Sequence, residues 1–348
     1  MGDMGDMGSI VEPVAALEQI AYLLERAQAS TYRVAAFRRA AAAVAALEPG
    51  ELARLAGSGR LGELAGVGEV TATVINQALT GRTPAYLAGL EPAGQIPVAT
   101  GGEALLELVR GDLHTHSLWS DGGSPIELMA RTAQALGRDY LALTDHSPRL
   151  KVANGLTAER LLEQLEVVAR LNEQLAPFRI LTGIEVDILD DGSLDQSEEL
   201  LARLDVVVAS VHSHLRMPAP EMTRRLVVAV ANPHTDVLGH CTGRLVGEKG
   251  RAQSEFDAEI VFEACRLRGV AVEVNSRPER LDPPRNLLRS AVVTGCLFAI
   301  DSDAHAPGQL DWLAYGCARA VECDVPPDRV VTTWSADQVV DWTTSRSA

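Results

Sequence analysis

Residues 108–116 read Leu-Val-Arg-Gly-Asp-Leu-His-Thr-His, an apolar run leading into two histidines two positions apart. The arrangement recurs down the chain. Taking 108–113 as a first strand, further short apolar runs at 140–144, 179–184, 205–211, 236–239, 270–274 and 297–300 alternate with amphipathic stretches near 125–136, 157–175, 197–202, 221–230, 254–267 and 284–293. Alternating strands and helices call for a parallel sheet, open or closed. The polar residues at the strand ends decide between the two. His114 and His116 end the first, Asp145 and His146 the second, Glu185 the third, His212 the fourth, His240 the fifth, Asn275 the sixth, and Asp301, Asp303 and His305 the seventh. An open sheet would spread these groups across its width, whereas a barrel gathers them at one mouth. The expected fold is α/β, a distorted seven-stranded (β/α) barrel.

Imidazoles at i and i+2 lie on one side of an extended chain, so His114 and His116 can hold a single cation. Asp121 in Ser-Asp-Gly, His146 in Thr-Asp-His, Glu185 in Gly-Ile-Glu, His212 in Ser-Val-His, His240 in Gly-His, and Asp303 and His305 in Asp-Ser-Asp-Ala-His bring the candidate ligands to nine. One tetrahedral site takes about four, so nine suffice for two or three divalent ions if a carboxylate bridges. A lone histidine at a strand end is ordinarily a hydrogen-bonded core or surface residue. Six of them at five of seven strand ends are harder to place without a metal, because each unsatisfied buried group would cost roughly 1–3 kcal/mol. Asp145 and Asn275 stand where partners that orient the ligands belong. His234 precedes its strand and reads as structural, and His214, two residues past a ligand, as a substrate contact.

Composition bounds the rest. The 348 residues are 47% hydrophobic and 22% charged, enough for a sizeable core plus a smaller domain and unlike a disordered or collagen-like chain. Cys241, Cys265, Cys296, Cys317 and Cys323 include no Cys-x-x-Cys pair, so neither a disulfide framework nor a thiolate zinc site is expected. The net charge is −16, and Lys151 and Lys249 are the only lysines. Indiscriminate binding to a phosphate backbone needs clustered positive charge, which excludes a nucleic-acid coat protein but leaves an enzyme meeting nucleic acid at a local site. No apolar run approaches the roughly 18 residues of a membrane span. The opening MGDMGDMGSIVEP carries acids where a secretory signal carries bases, so a cytoplasmic protein without membrane partners is expected. All eight histidines fall between His114 and His305, which assigns imidazole chemistry to the second part of the chain.

The first part reads as a small all-helical domain. Residues 14–29 and 32–47 are Ala- and Leu-rich with helical spacing, Pro49-Gly50 breaks the pattern before a short helix near 51–56, and Leu64-Ala65-Gly66-Val67-Gly68 leads into a helix over 69–79. Gly66 and Gly68 around an apolar residue can turn backbone N–H groups outward at a helix N-terminus, where a phosphate binds, although a plain turn uses the same residues. Arg33, Arg38 and Arg39 are either DNA contacts or a solvated helix face. The Gly-, Pro- and Ala-rich stretch 92–109 reads as a linker, and residues 1–10 and Thr-Thr-Ser-Arg-Ser-Ala at 343–348 as disordered ends.

Two resemblances add to this reading. Residues 11–91, with TYRVAAFRRA at 31–40 and LAGVGEVTATVI at 64–75, resemble the N-terminal helix-hairpin-helix domain of family X DNA polymerases, which grips DNA ends. Some members use a lysine there for Schiff-base lyase chemistry. Val74 stands at that position and no lysine occurs in the first 150 residues, so the lyase is expected to be absent. Residues 110–335, with Asp-Leu-His-Thr-His, Ser-Asp-Gly, Thr-Asp-His, Gly-Ile-Glu, Ser-Val-His, Gly-His and Ser-Asp-Ala-His in that order, resemble the polymerase and histidinol phosphatase (PHP) family of metal-dependent phosphoesterases. That resemblance implies one ion on His114, His116, Glu185 and Asp303, a second on Glu185, His212 and His240, and a third on Asp121, His146 and His305; the imidazole and carboxylate donors suit zinc, manganese or iron alike. The whole chain is similar to a family X polymerase without its nucleotidyl-transferase parts, so polymerase activity is not expected. Hydrolysis of a phosphoester by a metal-bridging hydroxide is the implied reaction, with Arg244 and Arg280 as phosphate holders or, equally, loop salt bridges. The substrate is expected at DNA ends, for a 3′-5′ exonuclease or 3′-phosphatase. The alternatives are a small phosphomonoester such as histidinol phosphate, or a non-catalytic DNA-end module with a structural metal site.

Overall fold

The computed structural model describes residues 12–247 and 250–347, and the chain divides into two compact units, residues up to Pro97 and from Val98 onward. The first unit comprises helices α1 (Pro13–Arg26), α2 (Thr31–Ala45), α3 (Glu51–Gly57), α4 (Glu69–Leu79) and α5 (Ala85–Gly94). On α1, Ala16, Leu17, Ile20, Ala21 and Leu24 recur at spacings of one, three and four, forming one apolar stripe. The stripe is buried with Phe37, Ala40, Ala41 and Val44 of α2 and Val74, Ile75 and Ala78 of α4.

The stretch expected as a linker is helical at both ends and irregular only over 95–102 and at Val109. α5 runs through Pro92 to Gly94, and α6 (Glu103–Leu108) comes next, in the second unit. Leu108 therefore closes a helix and does not open a strand, because Leu105 and Val109, four apart, are the residues buried there.

The second unit carries β1 (Gly111–Thr115), α7 (Ile126–Ala135), β2 (Tyr140–Leu143), α8 (Ala158–Leu175), β3 (Arg179–Asp187), α9 (Glu198–Leu201), β4 (Val206–Ser210), α10 (Ala219–Ala231) and β5 (Val237–Leu238). Then come α11 (Ala258–Arg268), β6 (Ala271–Asn275), α12 (Arg285–Thr294), β7 (Leu297–Asp301), α13 (Leu313–Glu322) and α14 (Ala336–Ser347). The seven strands are parallel and paired in chain order. The ring nearly closes between β7 and β1. There His116 N donates to Ala304 O at 2.8 Å and Leu113 N to the Asp301 carboxylate at 2.8 Å. At the opposite end the gap is filled by residues 330–333, with Arg110 N donating to Thr332 O at 2.8 Å.

Inside the barrel the strand period of two sorts residues by depth. Leu113, Ala142, Leu181, Val206, Val208, Val237, Ala271 and Ala299 form an apolar floor closed by Val331 and Val339. The intervening residues Ile184, Val207, Leu238, Val272, Val274, Phe298 and Ile300 pack outward under the helices. On the inward faces the polar residues come later: Glu185 and Asp187 on β3, Ser210 on β4, Glu273 and Asn275 on β6, Asp301 on β7. The C-terminal end of the barrel is thus polar. β1 departs from strict alternation, since its register with β2 slips by one residue between Asp112 and Thr115. Through this bulge Leu113 joins the floor while its neighbour His114 meets Glu273 across the barrel.

The tail expected to be disordered is the last turns of α14. Arg346 Nη1 lies 2.8 Å from Asp236 Oδ1, Arg346 Nε donates to Arg268 O at 2.9 Å, and Trp342 Nε1 donates to Gly269 O at 3.1 Å, which ties the helix to the barrel. Residues 1–10 and Ala348 lie outside the described residues. Among the described residues no helix is long and apolar enough to cross a membrane.

Candidate metal centre

The nine side chains singled out above meet at the polar end of the barrel. Glu185, projecting from β3 at the centre, faces five rings. Its Oε2 lies 3.3 Å from His114 Nε2, 3.5 Å from His116 Nε2 and 2.9 Å from His146 Nδ1, and its Oε1 lies 3.3 Å from His212 Nε2 and 2.8 Å from His240 Nε2. Asp303 Oδ1 is 3.5 Å from His116 Nε2 and 4.0 Å from His114 Nε2. Asp121 Oδ1 sits 3.5 Å from His146 Nε2 and 3.3 Å from His305 Nε2. Four overlapping groups have ligand atoms mutually within 4.8 Å: His116, Asp121, His146 and His305; His114, Glu185 and His240; His114, His116 and Asp303; His146, Glu185 and His212.

The donor set fits divalent cations. Among the described residues, His114 Nε2, His116 Nε2 and His212 Nε2, the ring nitrogens that face Glu185, are buried without a hydrogen bond, which is costly unless a metal takes the lone pairs. Burial, together with the neighbouring His305 and His146 rings, pushes His116 well below the usual imidazole range, leaving it in the neutral form that binds metals. Burial alone would raise the Glu185 carboxyl, but the His114, His146 and His212 rings outweigh it and hold the group well below the usual range, as carboxylate.

Local backbone makes these positions available. Gly122 comes directly after Asp121 in a tight turn whose Gly122 N donates to Ser117 O at 2.9 Å, and a Cβ at Gly122 would lie 2.7 Å from the Ser117 backbone. At Gly239, before His240, a Cβ would come within 2.3 Å of Ser210 Oγ. Asp303 adopts a left-handed conformation (φ +52°), which Asp tolerates better than most residues.

A second layer holds the ligands. Asn275 Nδ2 donates to Asp303 Oδ2 at 3.1 Å. Asp145 touches no ligand ring; it accepts Ser117 N at 2.8 Å, Ser117 Oγ at 2.6 Å, Gln164 Nε2 at 2.7 Å and the Ser120 hydroxyl, fixing the loop that delivers Asp121. Two carboxylates that the motifs did not single out act directly on rings. Glu273 Oε1 lies 2.6 Å from His114 Nδ1, and its Oε2 accepts the His240 amide. Asp187 Oδ1 lies 3.2 Å from His212 Nδ1. Each places the ring proton on Nδ1 and turns Nε2 to the centre. The signal was present in the sequence: Asp187 is two residues past Glu185 on the same strand face, and Glu273 is an acid inside an otherwise apolar strand two before Asn275.

Other expected contacts fall elsewhere. Arg280 reaches the centre, its Nε 3.0 Å from Asp303 Oδ2 and its Nη1 buried without a partner among the described residues. Arg244 does not: its guanidinium donates to the backbone carbonyls of Arg280, at 3.0 Å, and of Leu281. The unforeseen basic group is Arg277, whose Nη1 lies 2.8 Å from His305 Nδ1 and donates to Asp303 O at 3.0 Å. His214 pairs with Asp190 at 2.8 Å and His234 lies 3.2 Å from Glu198, so His214 is turned to a surface acid.

In the N-terminal unit Arg38 is committed to Glu25, with Nε–Oε1 2.8 Å and Nη2–Oε2 2.7 Å and both side chains nearly buried. It is therefore a core ion pair, and a DNA contact would have to break it. Arg33 donates to Tyr86 Oη at 2.7 Å, and Arg39 is exposed. The Gly68 amide is taken by Thr71 Oγ1 at 2.9 Å, so it does not turn outward. Gly66 has φ +92° where a Cβ would press on Arg39 O at 3.3 Å, a close turn that only glycine makes without strain.

The centre opens into a cavity of about 430 Å³. Five of the candidate ligands, Asp121, His146, His212, Asp303 and His305, line its floor, and Leu150, Val152, Ala153, Leu245, Arg277, Glu279 and Arg280 its walls.

Comparison with known proteins places these features. The helix-hairpin-helix domain family matches residues 11–84 and the PHP domain family residues 112–277. DNA polymerase/3′-5′ exonuclease PolX of Bacillus subtilis (strain 168) is 44% identical over 218 residues, which are 62% of this chain and 38% of that protein. The chain thus matches well under half the length of that relative. A probable phosphatase of Thermoanaerobacter sp. (strain X514) is 31% identical over 205 residues, 56% of this chain and 78% of the relative. Histidinol phosphate phosphatase of Lactococcus lactis subsp. lactis, solved with zinc, L-histidinol and phosphate, superposes with a TM-score of 0.46 at 17% identity over 61% of this chain and 92% of that one. The chain belongs to the PHP family of metal-dependent phosphoesterases and carries a helix-hairpin-helix domain ahead of its phosphoester-hydrolase barrel.

Proposed function

We propose that this hydrolase acts at DNA ends, as a 3′-5′ exonuclease or 3′-phosphatase. The observation that carries this reading is the union in one chain of a PHP domain with a helix-hairpin-helix domain, and 218 residues of the chain are 44% identical to PolX, a DNA polymerase/3′-5′ exonuclease. Two or three ions, zinc, manganese or iron, would be shared among the residues as the resemblance implied. Glu185 would bridge His114, His116 and Asp303 on its Oε2 side to His212 and His240 on its Oε1 side, with Asp121, His146 and His305 holding the third position. When bound, adjacent divalent ions lower the pKa of water and neutralise phosphoryl oxygens. The residues do the rest. Glu273 and Asp187 fix the ring tautomers, and Asp145 holds the loop of Asp121. Arg280 presents an unpartnered guanidinium nitrogen beside Asp303, suited to a phosphoryl oxygen. The Asp121 side chain is 36% exposed at the cavity, the open access that hydrolysis requires.

The acidity of the chain supports a second reading, a small phosphomonoester such as histidinol phosphate. One assay separates the two: turnover of a 3′-phosphorylated oligonucleotide, a plain single-stranded oligonucleotide and histidinol phosphate, with manganese or zinc, by the wild type and by His116→Ala. We expect the oligonucleotides to be processed and the substitution to abolish turnover. Turnover of histidinol phosphate alone removes the DNA reading, and full activity in His116→Ala removes the metal mechanism.

A further inference from the structure

The metal cavity is lined by two kinds of wall. On one side stand Arg277 and Arg280, both touching Asp303; elsewhere the turn of residues 150–153 contributes Leu150, Val152 and Ala153, and a separate loop contributes Leu245. Val152 is 94% exposed, among the most exposed large aliphatic side chains of the described residues, and Lys151 beside it is also exposed. A centre that received only a phosphate and a small polar alcohol would have no use for aliphatic side chains converging from two loops. At about 430 Å³ the space falls in the range of cavities that enclose a whole organic ligand, far more than a phosphate fills.

We infer that Leu150, Val152 and Leu245 form the subsite for the nucleoside attached to the scissile phosphate, and that this wall makes the enzyme selective for nucleotide 3′ phosphoesters over esters of small polar alcohols. The inference rests on the DNA-end reading above and names its specificity determinant. The phosphoryl group lies toward the metal ligands and the Arg277–Arg280 side. The sugar and base cover the aliphatic side chains, and Lys151 at the edge of the turn meets the next backbone phosphate.

The experiment compares wild type, Val152→Ser and the double variant Leu150→Ser/Val152→Ser, all full-length and metal-loaded, on a 3′-phosphorylated oligonucleotide and on glycerol phosphate. Because Val152 is exposed, the single variant should fold, and its melting temperature checks this. We expect the ratio of kcat/KM for the oligonucleotide over glycerol phosphate to fall about tenfold in the double variant, as expected for losing the cover of two aliphatic side chains. The change should sit in KM, with a matching loss of oligonucleotide affinity by fluorescence anisotropy. An unchanged ratio and affinity in variants of an oligonucleotide-processing wild type overturns the subsite alone. A wild type that neither binds nor processes the oligonucleotide overturns the DNA-end reading and the subsite with it.

Discussion

Glu185 is the residue on which the centre turns, because both its oxygens face imidazoles delivered by four different strand ends. Glu185→Gln keeps the shape and removes the bridging charge. It should lower metal content measured by elemental analysis and abolish phosphate release, and a fully loaded, active Glu185→Gln would show that the ions are held without it. Glu273 tests the layer beneath. It reaches no substrate; it is a positioning residue that puts the proton of His114 on Nδ1. Loss of such partners typically weakens metal binding by about 10- to 100-fold. We expect Glu273→Ala to shift a zinc or manganese titration by that amount, with the loss of activity recovered at higher metal concentration. An unshifted titration would mean the His114 ring is held by packing alone.

Among the elements, the strands were the most legible, and the reason is parity. A strand that reads Leu181-x-Gly183-x-Glu185-x-Asp187 declares an inward face that passes from apolar to charged, so both the barrel and the depth of its site come from a spacing of two. Helix α6 was less legible because six residues, Glu-Ala-Leu-Leu-Glu-Leu, fit a strand or a turn of helix equally until Leu105 and Val109 find their core. Glu273 and Arg277 were missed because their roles depend on residues far away in sequence, His114 and His305. The same holds for α14, whose polar final turn looks disordered until Arg346 meets Asp236. Burial, opposed by Arg346, raises the Asp236 carboxyl from 3.8 to about 7. Its folded value lies above its unfolded one, so the stabilisation it gives is fully present below pH about 4 and is lost as pH rises toward 7. Arg346→Ala removes the opposing charge and raises the group further. The variant should be destabilised by about 1 kcal/mol at pH 8, the cost of protonating a carboxyl whose wild-type pKa is about 7, with the deficit shrinking toward pH 5, where the acid is buried neutral. Melting curves at the two pH values measure this, and a deficit independent of pH would show that Arg346 contributes packing only.

At the scale of the whole molecule, the two units have separate cores. One is built wholly from residues 16–87 with its packed neighbours, and the other three are built from residue 105 onward. Chelation should therefore act on one of them: calorimetry with and without EDTA should lower the unfolding transition of the barrel and leave that of the helical unit in place, whereas a shift of both would show that they unfold together. The division also assigns labour. The barrel holds all nine candidate ligands and the cavity, while the helical unit holds the exposed Arg39 and the Gly66 turn, and lacks lysine for any lyase step. Val74, at the position of the lyase lysine in the resemblance, is buried in that core, so this position offers no amine for a Schiff base, and on the DNA-end proposal the unit's part is binding alone. A fragment of residues 98–348 should thus hydrolyse p-nitrophenyl phosphate with the kcat/KM of the full chain, and should show a KM for a 3′-phosphorylated duplex end raised about tenfold or more, since a tethered second contact multiplies affinity without touching the chemistry. Equal KM values for fragment and full chain on the duplex would assign all DNA contact to the barrel mouth and leave the helical unit another partner.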